Sequence, residues 1–171
     1  MLKEKHARRW AVVFVGLSFG LTPQLSLAQT SSQISPQTQR SVYRQAVPDE
    51  NVLARLVWST MIALDNANRT NNYTVLNSLG SPEFQRRNTP QRLSDIFSDL
   101  RRNRVDIGRT ILSTPSYYRP PEILTDGSLR LRGGFDYRPK SIRFDLVYAN
   151  IGGGWRITAI SVVEMDAGAP K

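Results

Sequence analysis

Asp65 lies three residues after Ile62 and four after Met61, close to the end of an apolar helical stripe. A carboxylate buried there could serve as a general base. An aspartate beside Asn66 and Asn68 near a helix terminus more often caps or faces solvent. Tyr73 and Tyr148 can hydrogen-bond a ligand, although such tyrosines commonly anchor a core with the hydroxyl at its edge. Phe135, Phe144 and Trp155 are core candidates, and therefore candidate walls of any chamber within that core. Arg130, Arg132 and Arg143 suit an anion or an acidic partner, or simply a charge-laced face turned to water.

The sole histidine is His6, and there is no cysteine. Beyond residue 28, imidazole acid–base chemistry, serine–histidine triads, histidine-ligated zinc, thiolate nucleophiles and disulfides are therefore excluded. No Walker loop, dinucleotide fingerprint, EF-hand loop or nucleophile elbow occurs. No cofactor and no metal is expected, and no residue is assigned as catalytic. Asn68-Arg69-Thr70 and Asn72-Tyr73-Thr74 match the N-glycosylation pattern, which matters only in a eukaryotic secretory host.

The N-terminus sets the expected compartment. Lys3, Lys5, Arg8 and Arg9 precede an apolar run from Ala11 to Leu21, and Ser26-Leu27-Ala28 ends a short polar piece. This is the pattern of a signal peptide cleaved after Ala28, with export to the periplasm or cell exterior. The run is shorter than the roughly 20 residues of a membrane helix, so no transmembrane span is expected. Arg8-Arg9 resembles a twin-arginine signal, but Trp10-Ala11-Val12 fits that pattern poorly, and general secretion is the better reading. Beyond Ala28 there remain 143 residues, enough for one domain and too few for two. They hold 19 Lys and Arg against 13 Asp and Glu, a net charge of +6. Outside the cytoplasm the acidic partners of such a surface are envelope glycopolymers, lipid head groups and other proteins rather than nucleic acid.

These side chains must be positioned by the elements that follow. Residues 29–47 are rich in Gln, Ser, Thr and Pro and read as a disordered linker, and 167–171 as a flexible tail. A single α+β domain is expected over 48–166. Asp49 and Glu50 open a helix whose apolar positions (Leu53, Leu56, Val57, Thr60, Leu64, Ala67, with Trp58, Met61 and Ile62 beside them) cover more than half its circumference. A short turn over 73–79 is expected to close at Gly80 with positive φ. Ser81-Pro82 and Thr89-Pro90 each supply a cap and a first-turn proline. Leu93, Ile96, Phe97 and Leu100 form one amphipathic stripe, with Arg92, Asp95, Asp99, Arg101 and Arg102 on its outer face. From Ile111 the period changes to 2, and an irregular strand interrupted by three prolines is expected over 111–124. Asp126-Gly127 and Gly152-Gly153-Gly154 mark turns.

A two-residue loop at Pro139-Lys140 would set Tyr137 opposite Ile142, Phe135 opposite Phe144 and Leu131 opposite Tyr148, with Asp136 facing Arg143 on the other side. The face carrying Phe135, Phe144, Leu146 and Tyr148 then packs on the helices. The face carrying Arg130, Arg132 and Arg143 is solvated. For the last strand, either Trp155 and Ile157 or Ile160 and Val162 point inward.

Ala63-Leu64-Asp65-Asn66-Ala67-Asn68 leading to Asn72-Tyr73, then Leu76, Leu79 and Ser81-Pro82-Glu83-Phe84, and later Phe144-Asp145-Leu146-Val147-Tyr148 and Gly154-Trp155-Arg156-Ile157, resemble the nuclear-transport-factor-2-like superfamily, which includes polyketide-cyclase-like and ketosteroid-isomerase-like proteins. The resemblance implies a cone, cystatin-like in arrangement, whose helices and curved antiparallel sheet enclose a pocket. Asp65, Tyr73, Phe135, Phe144, Tyr148 and Trp155 would line it. The resemblance also implies a homodimer through the sheet. It departs from the isomerase pattern in having no acid on the inward sheet face, and from the dehydratase pattern in lacking the histidine. Fold alone assigns no activity. Three functions follow: a non-enzymatic exported module binding a small apolar ligand or a partner; a cofactor-free isomerase- or hydrolase-like enzyme using carboxylate and tyrosine; and an accessory protein held to anionic envelope material by its arginine face.

Overall fold

The computed structural model describes residues 46–167. The expected signal peptide, all but the last two residues of the expected linker, and residues 168–171 lie outside them. Helices come first and an antiparallel sheet follows, an α+β arrangement. The helices are α1 (Glu50–Thr70), α2 (Thr74–Ser78), α3 (Pro82–Arg87), α4 (Pro90–Ile96) and α5 (Ser98–Arg102). A 3₁₀ turn (Gly108–Leu112) leads to strands β1 (Ser116–Ile123), β2 (Leu129–Phe135), β3 (Lys140–Ile151) and β4 (Gly154–Asp166), paired in sequence order. No helix among the described residues is long and apolar enough to cross a membrane.

The caps form as their chemistry dictates. The Asp49 carboxylate accepts from Val52 N at 3.0 Å, and the Ser81 and Thr89 hydroxyls accept from the first turns of α3 and α4, each followed by proline. Helix α1 buries Leu53, Val57, Met61, Ala63, Leu64 and Ala67, with Trp58 half-buried, so it packs on two sides.

The strand expected from Ile111 begins later, at Ser116. The Gly108–Leu112 turn is held against α1 by tertiary contacts that the alternation of residue types does not report: Ile107 and Thr110 are fully buried, and Gly108 N donates to Asp65. Ile111 and Leu112 face solvent. Ile96, expected on the buried stripe, is also exposed. The α4–α5 segment breaks at Phe97, which rotates the stripe to Leu93, Phe97 and Leu100. Gly80 does not take positive φ. It is glycine because a Cβ there would lie 2.2 Å from the Phe84 ring, where the chain presses against β4.

The β2–β3 hairpin keeps the expected faces but slips by two residues. Phe135 pairs with Ile142, Gly133 with Phe144, Leu131 with Leu146 and Leu129 with Tyr148. The loop is therefore longer than the expected two residues. Gly133 opposite Phe144 explains the slip: the ring lies over a position without a side chain, and a Cβ on Gly133 would approach it to 2.7 Å. Asp136 no longer sits directly opposite Arg143, yet their ion pair forms at 2.6 Å.

Strand β4 answers both inward alternatives at once. Gly152 and Gly153, with φ of 60° and 80°, turn the chain so that Ile151 pairs with Gly154. Tyr148 pairs with Ile157, but Val147 pairs with Ala159, which makes Thr158 the extra residue of a bulge. Parity flips there, so Ile157 before the bulge and Val162 after it are both buried. The Thr158 hydroxyl bonds Val147 O at 3.1 Å. Ile157 bonds outward to the helical segment, donating to Leu79 O at 3.1 Å and accepting from Ser81 N at 2.8 Å.

Candidate functional site

Two of the expected site residues lie near the C-terminal end of α1, Asp65 within the helix and Tyr73 just beyond it. Asp65, on the penultimate turn, is 7% exposed. Its Oδ1 accepts from Gly108 N at 3.0 Å and its Oδ2 lies 3.8 Å from Arg69 Nη1. The carboxylate thus ties the 3₁₀ turn to the helix. Tyr73 is buried against Phe97, ring on ring at 6.3 Å. Its hydroxyl accepts from Arg101 Nη1 at 2.5 Å and donates to Asn68 Oδ1 at 2.5 Å. Because a guanidinium can only donate, the tyrosine proton must go to Asn68, and this relay sets which way the Asn68 amide points. Its Nδ2 is buried with no acceptor among the described residues. Arg101 also donates to Ser94 O at 2.7 Å. Expected on the outer face of an amphipathic helix, it is instead half-buried and turned back onto Tyr73.

Beside this network lies a cleft of about 350 Å³, bounded by Asp65, Asn68, Arg69, Arg101, Arg104 and Asp106. Leu100 and Val105 supply its apolar lining. Arg104 reaches it from an unusual backbone position. Val105 N bonds Leu100 O and Arg104 N bonds Arg101 O, both at 3.0 Å, closing α5 with the paired bonds of a Schellman motif. Arg104 holds the left-handed position of that motif at φ 51°. Glycine is the usual occupant, since a Cβ costs on the order of 1 kcal/mol in this conformation. Arg104→Gly is therefore expected to leave stability unchanged or raise it by up to about 1 kcal/mol, read as a higher urea midpoint. A drop of more than about 1 kcal/mol would mean that the arginine holds the loop together rather than tolerating it.

The other expected pocket residues lie in the core. Phe135, Phe144 and Tyr148 are 2% exposed or less, and the Phe144 ring packs on Phe135 and on Tyr117. Trp155 is half-buried at the sheet end. The Tyr148 hydroxyl sits 2.9 Å from Thr60 Oγ1 and 3.1 Å from Leu56 O. Burial pushes its pKa up, and burial followed by the charge of Glu50 does the same for Tyr117, so both hydroxyls stay protonated at neutral pH. Tyr117 OH is buried without a partner among the described residues. No carboxylate hydrogen-bonds Tyr73, Tyr117 or Tyr148 among those residues.

The three arginines of the outer sheet face are occupied. Arg130 grips Asp145 with two bonds of 2.6 and 3.0 Å, Arg132 pairs with Glu122, and Arg143 pairs with Asp136. Arg101, Arg104 and Asp106 were not singled out as site residues by residue type. Their one legible signal was an arginine-rich helix end, which reads equally well as dipole compensation. No family model, no curated protein and no solved structure matches this chain.

Proposed function

We propose that this chain is an exported, non-enzymatic binding module of nuclear-transport-factor-2-like type, and that its ligand site is the cleft between the end of α1 and the α5 loop. The carrying observation is the contrast between two regions. Phe135, Phe144 and Tyr148 fill the space between sheet and helices with their own side chains, whereas Arg101, Arg104, Asp65 and Asn68 border about 350 Å³ of open cleft. That volume falls in the low part of the range for small-molecule sites. The packing favours this cleft over a small apolar ligand among the aromatic residues. Binding is favoured over catalysis because Asp65 accepts from a backbone N–H rather than from a tyrosine, so no carboxylate–tyrosine pair is poised for proton transfer. Retention on anionic envelope material through Arg130, Arg132 and Arg143 would require displacing the carboxylates that each already holds.

Native mass spectrometry on the protein purified from its own envelope tests the reading in one spectrum. A polypeptide mass beginning at Gln29, with a small-molecule adduct that disappears in Val105→Trp, is expected. An adduct-free parent, or an adduct indifferent to Val105→Trp, overturns the cleft. The same spectrum reports the homodimer implied by the resemblance as twice the chain mass, for which the outer sheet face exposes Tyr118, Val163 and Met165. A mass that still includes residues 1–28 overturns export with cleavage after Ala28.

A further inference from the structure

Resting on the cleft as the ligand site, we infer that its ligand is a small organic acid carrying a single negative charge, whose carboxylate is received by Arg104 and Arg101 and whose carbon skeleton lies on Leu100 and Val105. The charge count around the cleft sets the sign and the number. Arg69, Arg101 and Arg104 face Asp65 and Asp106, which leaves one positive charge uncompensated. The two carboxylates are engaged locally, Asp65 by Gly108 N and Asp106 by Arg109 N at 3.2 Å. Arg69 leans towards Asp65. Arg101 bonds only neutral groups, the Tyr73 hydroxyl and the Ser94 carbonyl, and Arg104 makes no ion pair among the described residues.

The chemistry of the donors narrows the class. A guanidinium presents parallel N–H groups that match the two oxygens of a planar carboxylate. Inorganic phosphate, a mixture of mono- and dianion at neutral pH, carries on average more negative charge than a site of net +1 offsets, and its dianion would face two aspartates. It would also leave Leu100 and Val105 without an apolar partner. Arg104 stands where glycine would be less strained, and a left-handed backbone held by a non-glycine side chain points to a role for that side chain. Arg101 is pre-positioned by Tyr73 and Ser94, so little ordering remains to be done when a carboxylate arrives.

The test is a ¹⁵N NMR titration of the protein beginning at Gln29 with butanoate, its uncharged analogue butanamide, and inorganic phosphate. Butanoate is expected to move the signals of Asn68, Arg101 and Arg104–Asp106. Butanamide is expected to bind at least about tenfold more weakly, the size of a lost charge-assisted hydrogen bond. Arg104→Gly, whose thermal midpoint verifies the fold, is expected to weaken butanoate by about tenfold, and Arg104→Lys to fall between it and the parent because it keeps the charge without the fork. Phosphate or butanamide moving the same signals as strongly as butanoate overturns the ligand class and leaves the cleft standing. Butanoate shifts that are absent, lie elsewhere, or persist undiminished in Arg104→Gly overturn the inference. If the native-mass adduct is nonetheless lost in Val105→Trp, the cleft holds another class of ligand; if there is no adduct, both readings fall together.

Discussion

Phe144→Ala is expected to lose about 3–5 kcal/mol of stability, the cost of emptying a well-packed aromatic site. Phe144 is 2% exposed, lies 5.9 Å from the Phe135 ring and 6.2 Å from Tyr117 edge to face, and pairs across the sheet with Gly133 and Val162. Its neighbours stand on strands β1, β2 and β4, held by ladder hydrogen bonds, and cannot collapse into the space a missing ring would leave. For a domain of this size the midpoint should fall by about 10–20 °C. The measurement separates two roles that the sequence left together. A ring lining an open chamber already touches space on one side, so its truncation would cost about 1–2 kcal/mol and alter ligand binding instead. Urea unfolding that returned so small a loss would reopen the interior as a ligand site and weaken the case for the helical cleft.

Gly133→Ala should cost about 3 kcal/mol, at the upper end of what overpacking does. A Cβ at this position would lie 2.2 Å from Ser116 O and 2.7 Å from the tip of the Phe144 ring. The first contact is with backbone, so relief requires β1 to move away from β2, loosening a pairing already broken by two irregularities. Gly154→Ala is the matched control. Its Cβ would meet nothing nearer than Ile151 O at 3.8 Å, and the change should stay within about 0.5 kcal/mol. Equal effects at the two positions would mean that Gly133 does not set the approach of Phe144 to the sheet.

Much of the fold was legible because it rests on short-range rules. The aspartate, serine and threonine caps, the first-turn prolines and the two-sided α1 each follow from local hydrogen-bonding and from 3.6-residue spacing. The order of helices before an antiparallel sheet, and which side of β2 and β3 carries aromatics and which carries arginines, follow from a change of period to 2. The candidate site was less legible. Asp65 and Tyr73 could be named by type and position, but Arg101 and Arg104 read as an ordinary helix end. What distinguishes them is a contact to a tyrosine 28 residues away and a left-handed backbone angle.

From residue types alone came the exclusion of imidazole and thiol chemistry beyond residue 28, the α+β class and the faces of the central strands. Composition and periodicity are properties of each segment by itself, and they need no knowledge of its neighbours. The tertiary structure decided the two-residue slip of β2 on β3, the bulge at Thr158 and the bordering of the cleft by Arg101 and Arg104. A two-residue slip leaves every side chain on its own face, so alternation cannot detect it; the fit of Phe144 over Gly133 selects the register. The bulge places Ile157 where its backbone bonds Leu79 and Ser81, segments far away in the chain. Such choices depend on how separate elements meet, which no single element specifies.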